Sequence, residues 1–354
     1  MIRRGTTALL ALSLTFTSAG CKEDEKPADA PASASASGAA TTEATAAADA
    51  KKAKSAVETG SADGTASSHV PAGCEVAARF DIKKTLEHDK IGKVLVDALS
   101  KIQSEPKDAD QKKAVAALKT MEIDLTKDVH EVALCVNDVL QAKGNDPPPF
   151  MLLVSGNIKK DSLIPALKEQ DAKVTDTEVA GIKAVKGEKE EIIMGQSDDG
   201  VVIVAHGKDG FEKAVKAQGE GMKEHAIPAD KSSALVVKGS LIQEALKKQK
   251  QNPLEAHTGN IEGLVIYWDI DAMKTEIRAK MTSEKAAIEF GGALKMILTE
   301  LSKPNPRNPF AGVATALSKA KIDNDGNDTT IIIEMSEQEA DAAMAELTKT
   351  LGSL

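Results

Sequence analysis

The hydrophobic positions from residue 74 onward follow a repeated local pattern. A short run rich in Val, Ile, Leu and Phe is followed by a polar or glycine residue, and then by a stretch in which apolar residues recur every three to four positions. The first spacing is typical of a β-strand and the second of an amphipathic helix. The pattern predicts strand-to-helix units over 74–80 with 86–102, 150–154 with 162–169, 201–205 with 210–217, 234–237 with 240–248, 264–268 with 272–280, and 330–335 with 337–350.

Two of the predicted helices begin with the spacing of a capping box. Ser240 is followed three residues later by Gln243, and Ser336 by Glu339. In such a box each side chain accepts a hydrogen bond from the backbone N–H of the other residue. This spacing predicts helix starts at both positions.

Turn-forming residues between the apolar runs predict hairpins. Ser-Asp-Asp-Gly occupies 197–200 before one run, and Asp-Gly occupies 325–326 before another. The strands predicted over 174–185 and 191–194 follow each other without a helix, so a strictly alternating parallel fold does not fit. The expected fold class is α+β, with an antiparallel or mixed sheet and amphipathic helices mainly on one face.

The strand-to-helix pattern occurs on both sides of a charged stretch at 223–232. The sequence therefore predicts a first α+β half over 69–225 and a second over 226–354, as two similar subdomains. Because no long stretch of one half aligns with the other, a true duplication remains an open question.

Residues 1–20 have the pattern of an export signal. Arg3 and Arg4 precede an apolar run at 7–17. That run is too short to cross a bilayer, which takes about 20 apolar residues, but it suits a signal peptide. The sequence predicts secretion across the inner membrane.

The segment Ser-Ala-Gly-Cys at 18–21 resembles the lipobox of bacterial lipoproteins, in which small residues precede a cysteine. The resemblance covers about the first 21 residues and implies cleavage before Cys21, which then carries lipid chains. The family usually has Leu where this chain has Ser18. Inner-membrane retention in that family is commonly signalled by Asp after the cysteine, so Lys22 implies the outer membrane, facing the periplasm or the cell surface. The alternative is a plain secretory signal cut near Ala19.

Residues 21–68 predict a lipidated cysteine followed by a disordered tether. The segment consists almost entirely of Ala, Ser, Thr, Asp, Glu, Lys and Gly, with Val57 as its one large apolar side chain. Such a composition cannot bury enough apolar surface to offset the entropy of ordering. As a flexible coil the tether would have a root-mean-square end-to-end distance of roughly 35–40 Å.

Composition excludes several classes of ligand. The formal net charge of -9 disfavours nucleic acid, since affinity for phosphate backbones comes from clustered Lys and Arg. An aromatic content of 2% leaves little material for a sugar-stacking cleft. The partners we expect are the membrane, through the lipid anchor, and an envelope protein.

The two cysteines of the folded part, Cys74 and Cys135, are expected to form a disulfide in an oxidising envelope compartment. Both lie on predicted strands. By alternation Cys135 shares a strand face with Glu131 and Asn137, so the bridge is expected on the less apolar side of the sheet.

A catalytic set resembles the motifs of serine β-lactamases and penicillin-binding proteins. It consists of Ser104 with Lys107, Ser-Gly-Asn at 155–157, and His-Thr-Gly at 257–259. Ser104 would be the nucleophile, but the residues around it are typical of a solvated loop. The six histidines form no metal-binding motif, and no cofactor is predicted.

Tyr267 and Trp268 are the only Tyr and Trp. As neighbours on a strand they point to opposite faces, so an exposed ring would be the best anchor for a partner. The expected function is a noncatalytic binding or interaction module of a membrane-anchored envelope lipoprotein. The alternatives are a periplasmic solute receptor with a small molecule between its halves and a serine acyl-transfer enzyme.

Overall fold

The computed structural model describes residues 64–89, 91–106, 109–141, 148–170, 173–187, 191–224, 231–247, 253–301 and 314–341. The export signal, Cys21 and the tether before residue 64 lie outside these ranges, as does Lys107.

Within these ranges twelve strands form one sheet in which every pairing is antiparallel. The strand order is β11-β12-β10-β9-β8-β1-β2-β3-β7-β6-β5-β4. The strands are β1 (Val76–Asp81), β2 (Val129–Val136), β3 (Phe150–Gly156), β4 (Val174–Val179), β5 (Ile182–Gly187), β6 (Ile192–Gln196), β7 (Val202–His206), β8 (Ser233–Lys238), β9 (Ile261–Asp269), β10 (Lys274–Met281), β11 (Lys321–Asp325) and β12 (Asp328–Glu334).

The helices connect and cover these strands. They are a 3-10 helix (Ala66–His69) and α1 (Ile82–Glu87), α2 (Ile91–Ser104), α3 (Ala109–Thr120), α4 (Leu163–Glu169), α5 (Gly207–Lys216), α6 (Glu220–Glu224), α7 (Gly239–Lys247), α8 (Glu255–Thr258), α9 (Glu284–Leu301) and α10 (Ala314–Ser318). In the described part of the chain no helix is both long and apolar enough to cross a membrane.

The α+β prediction is confirmed. Most helices lie on one side of the sheet, which we call the back face and which carries Val132, Val154 and Leu264. This face packs against α1, α3 and α4 in the predicted first half, and against α7 and α9 in the predicted second half. Alternation along the strands explains the arrangement, since every second side chain points to this side.

The opposite side, which we call the front face, carries the largest buried cluster. Ala77, Ala133 and Leu153 form part of its floor, and Phe211 of α5 covers it. Residues 64–73, which we call the strap, cross the same face, and Ala66 and Val70 in it are completely buried. The boundary predicted at 68/69 therefore falls inside a folded segment.

One predicted helix is a strand. Residues 272–280 contain good helix formers, yet 274–281 form β10 between β9 and β12. Ile277 and Ala279 alternate with Arg278 and Lys280, and this period of two places the apolar residues on the back face. Pairing on both sides outweighs the local helix propensity.

Helix boundaries also depart from the predictions. The single helix expected over 86–102 is interrupted after Glu87, and α2 begins at Ile91. Gln243 donates to the carbonyl of Ile261 at 2.9 Å instead of capping a helix at Ser240. The second capping box is present.

In that box the backbone N–H and hydroxyl of Ser336 donate to the Glu339 carboxylate, each at 2.8 Å. The Ser336 backbone bond and a hydrogen bond from Lys319 hold the pKa of Glu339 at about 2.

Both predicted hairpins are present, as β6–β7 and β11–β12. Gly200 and Gly326 in their turns have positive φ.

Helix α9 approaches the sheet at a glycine. A Cβ on Gly291 would lie 2.8 Å from the side-chain oxygen of Asn324 in β11, whereas one on the next residue, Gly292, would meet nothing within 4 Å. The first glycine therefore allows the helix to pack closely, and the second faces solvent.

Candidate apolar groove and the strap opposite it

An open groove of about 480 Å³ lies on the back face where the two predicted halves meet. The volume falls in the range of small-molecule sites in proteins. All of its lining side chains are aliphatic: Val139, Leu140, Val237, Leu241, Ile242, Ala245 and Leu246.

Helix α7 supplies one wall. Leu241 and Ala245 are one helical turn apart, as are Ile242 and Leu246, so the four side chains form two adjacent apolar lines along the helix. Ile242 and Leu246 also pack against the same buried cluster of the back face as Leu264. The wall is therefore the flank of a helix already fixed to the sheet, while Ala245 remains exposed.

The start of α7 is held close to β9. A Cβ on Gly239 would lie 2.0 Å from the carbonyl oxygen of Ile261, so only glycine allows this approach. The amide of Gln243 donates to the same oxygen. These two contacts fix the position of the helix that bears the wall.

The other wall is the turn after β2. Asp138 adopts a φ of 51°, which turns the chain so that Val139 and Leu140 face the groove. The backbone N–H of Val139 donates to the Glu75 carboxylate at 2.9 Å. Leu140 remains 46% exposed, which is high for a leucine side chain.

The floor joins the two halves. Val237 of β8 is paired with Val76 of β1 and with Leu264 of β9. The groove therefore combines a turn from the predicted first half with a strand and a helix from the predicted second half.

The lining determines what the groove can do. None of its side chains can donate or accept a hydrogen bond, titrate or ligate a metal. Polar ligand groups would lose water there without gaining a partner, which is unfavourable. The groove can hold an apolar group, and it provides no acid, base or nucleophile.

Among the predicted site residues that the structure describes, Cys74 and Cys135 are a pair brought together from distant positions in the sequence. Cys74 and Cys135 form the expected disulfide, with their Cα atoms 5.5 Å apart. The expectation that the bridge lies on a less apolar side is wrong. The strap and α5 cover the front face there, and Cys135 belongs to its completely buried core.

Tyr267 and Trp268 point to opposite faces, as alternation requires. Tyr267 is buried on the front face with the Arg278 guanidinium 5.8 Å from its ring centre. Burial raises the pKa of Tyr267, although the charge of Arg278 opposes the shift. Trp268 is half-buried on the back face. Tyr267 therefore offers no exposed ring to a partner.

Ser104 is the last residue of α2 and is exposed. Its hydroxyl donates to the carbonyl of Ser100 at 2.8 Å. Ser155, from the second motif of the proposed set, is buried under the strap and accepts from the backbone N–H of Ala66. The hydroxyls of Ser104 and Ser155 thus both make structural hydrogen bonds to the backbone. In the same ranges no group of three or more His, Cys, Asp or Glu could hold a metal ion.

A buried ion pair lies beneath the strap. The Glu131 carboxylate accepts from Arg79 Nε at 2.6 Å and from the backbone N–H of Ser67 at 2.7 Å. Arg79 also donates to the carbonyl of Lys231 at 3.2 Å. The pair therefore connects β1 and β2 to the segment through which the tether enters the fold.

A second polar contact holds the strap from the other side. The ring nitrogens of His69 lie 2.9 Å from the Ala214 carbonyl oxygen and 3.0 Å from the Asp199 carboxylate. Partial burial raises the pKa of Asp199, but hydrogen bonds from Ser197 and His69 outweigh it and hold that pKa below its ordinary value. The strap is thus fixed by polar groups at both ends of its 3-10 helix.

Sequence reasoning missed both the strap and the groove. The strap is composed of small and polar residues, so no apolar periodicity marks it. The apolar wall of α7 was visible as an amphipathic helix, but nothing local indicates that Val139 and Leu140 lie beside it.

No protein-family model and no curated protein matches the chain. Among solved structures, crystal form I of TP0453 is 14% identical with a TM-score of 0.41, and 81% of this chain aligns with 98% of that chain. Crystal form III of TP0453 is 14% identical with a TM-score of 0.44, and 80% of this chain aligns with 99% of that chain. Crystal form IV is 13% identical with a TM-score of 0.42, over 80% and 96% of the two chains.

Proposed function

We infer that this chain is a lipid-anchored envelope protein that acts without catalysis, by holding an apolar ligand in the groove of α7 and β8. The anchor would be Cys21, and the outer membrane the location, facing the periplasm or the cell surface. The tether would let the domain work at a distance from the lipid headgroups.

The observation that carries the proposal is the groove itself. It is open, it lies where both predicted halves meet, and its aliphatic lining suits binding rather than chemistry. The export signal and lipobox motif support the location independently of the groove.

Substitution of Cys21 tests the location. In wild-type protein we expect the N-terminal peptide to carry lipid and the protein to fractionate with membranes. Cys21→Ala should remove the lipid mass and prevent cleavage before this residue. The matched control is Lys22→Asp, which should keep the lipid but shift the protein toward the inner membrane. An unmodified Cys21 in wild-type protein would refute the anchor.

A solute receptor is the second candidate, and a specific observation favours it. Val139 and Leu140 come from one predicted half and the remaining lining residues from the other, so a ligand in the groove would lie between the halves. A thermal-shift screen across small apolar metabolites tests it, since a ligand that binds only the folded state raises the melting temperature. A screen without any stabilising compound would count against it.

A further inference from the structure

We propose that the groove binds one acyl chain of a membrane lipid. This deepens, and rests on, the proposed function, in which the groove holds an apolar ligand. Three features support the choice of occupant: the chemistry of the lining, its lack of aromatic rings and the predicted tether.

The lining selects a hydrocarbon. A peptide in the groove would place backbone N–H and C=O groups against side chains that have no hydrogen-bonding atoms. A sugar or a phosphate would meet the same surface. An acyl chain has no polar atom along its length, so it loses nothing on leaving water and gains apolar contact.

The type of apolar residue in the lining further narrows the class of ligand that fits the groove. Aromatic side chains, which stack on flat rings and surround quaternary ammonium groups, do not occur among the lining residues. Valine, leucine and isoleucine instead give a surface without a preferred planar orientation. Such a surface fits a flexible chain better than a rigid ring system.

The open side of the groove leaves room for a polar group. Leu140 on that side is 46% exposed. The headgroup of a lipid would therefore remain in solvent while its acyl chain lies against the aliphatic walls.

The tether supplies the ligand. If Cys21 is lipidated, the chain between it and Gly64 would keep the domain at a root-mean-square distance of roughly 35–40 Å from the anchor. Tethering raises the effective concentration of membrane lipids at the groove without any additional contact. The occupant we infer is therefore a lipid from that surface.

Transfer of a labelled lipid tests the proposal. The full chain carrying Cys21→Ala, so that its own lipid cannot compete, is mixed with phosphatidylglycerol vesicles that contain enough pyrene-acyl phospholipid to show excimer emission. Movement of the label into protein is read from the loss of pyrene excimer emission. Competition by free palmitate and by wild-type lipidated chain distinguishes a membrane lipid from a free fatty acid and from the protein's own anchor.

Two variants place a carboxylate in the groove at exposed positions, where folding should tolerate it. We expect Ala245→Asp and Leu140→Asp to weaken label uptake at least about tenfold, because a charge in an apolar site is unfavourable. The matched control is Ser240→Asp, which adds the same charge to the exposed start of α7 outside the lining, and should change uptake less than about twofold. Melting temperatures of all three confirm folding.

The outcomes separate the two proposals. Uptake that the lining variants reduce and the control leaves unchanged supports the acyl-chain site. Uptake that is absent, or is equal in all variants, overturns it, as does palmitate binding without phospholipid transfer. If an apolar metabolite or a cross-linked protein then binds and Ala245→Asp prevents it, the groove still functions in binding and only the ligand class is wrong. If nothing binds, the proposed function also fails.

Discussion

The Glu131–Arg79 pair gives the sharpest prediction about the fold. The Glu131 side chain is 8% exposed and that of Arg79 is 13% exposed. Glu131→Ala removes the acceptor of both the guanidinium and the Ser67 N–H. The guanidinium then stays buried without its closest counter-charge, and the strap loses its bond to β2.

The expected loss follows from that geometry. Removing one partner of a buried ion pair costs about 3–5 kcal/mol, because the remaining charge is uncompensated. Arg79 still donates to the Lys231 carbonyl and lies 4.0 Å from Asp81. The destabilisation caused by its unpaired charge should therefore fall toward the lower end of that range. The unpaired Ser67 N–H adds roughly 1 kcal/mol or more if water cannot reach it. We therefore expect the free energy of unfolding to fall by about 3–5 kcal/mol.

Urea denaturation of the full chain measures the effect, as a shift in midpoint at unchanged slope. Asp176→Ala is the matched control, since it removes the partner of Lys168 from a pair whose side chains are 69% and 47% exposed. Such a pair contributes less than about 1 kcal/mol. Glu131→Gln should give an intermediate loss, because the amide oxygen can still accept from Ser67.

One result would show that Glu131 and Arg79 do not stabilise the strap. If Glu131→Ala destabilises the protein no more than Asp176→Ala, the buried pair does not hold the strap. A double change to Arg79→Met and Glu131→Leu adds a second check. It removes both charges together, and should recover most of the stability that the single change loses.

Three further predictions concern stability. Gly292→Ala should stabilise the protein by up to about 1 kcal/mol through helix propensity, whereas Gly291→Ala, whose methyl group meets a β11 side chain, should destabilise it by a similar amount; thermal melts of the pair decide. Asp199→Asn should lower the free energy of unfolding by less than about 1 kcal/mol at neutral pH. Because the pKa of Asp199 is lowered in the folded state, its ionised carboxylate stabilises the fold above the ordinary pKa of 3.8, and this stabilisation is lost as the pH falls through the folded-state pKa. The stability difference between wild type and Asp199→Asn should therefore disappear in an acid titration. Replacing Cys74 and Cys135 by Ala should cost about 4 kcal/mol in urea, for a loop spanning 61 residues; a loss under about 1 kcal/mol would contradict the estimate.

Alternation made the fold class predictable from sequence. Runs such as 150–154 and 201–205 alternate or are continuously apolar, and they became β3 and β7 in a sheet covered on both faces. The Asp-Gly turn at 325–326 and the Ser-Asp-Asp-Gly turn at 197–200 identified antiparallel neighbours. Local chemistry was sufficient here because each signal depends on residues close in sequence.

The error at β10 shows where local signals fail. The segment 272–280 carries Ala, Met, Lys, Glu and Arg, which favour helices, and its period of two is visible only at a few positions. The strand forms because β9 and β12 offer backbone pairing along both of its edges. β9 is the neighbouring strand in sequence, whereas β12 follows α9 and α10, and helix propensity registers neither pairing.

The groove and the strap escaped prediction for a related reason. Val139 and Leu140 become part of a site only because β1 lies between β2 and β8, an order that no local pattern reveals. Ala66 is buried because α5 returns over the front face, and a small residue carries no apolar signal of its own. Both features depend on the strand order.

The position of β1 links anchor and groove. This first strand lies near the middle of the sheet, paired with β2 of one half and β8 of the other. The strap leads directly into it, and the disulfide joins its entry to β2. Val76 at the start of β1 is paired with Val237, which forms the groove floor. The segment that would carry the membrane tether and the floor of the groove are thus fixed to the same strands, on opposite faces. A ligand in the groove would therefore sit on the part of the domain that a disulfide, a buried ion pair and two strand pairings hold together.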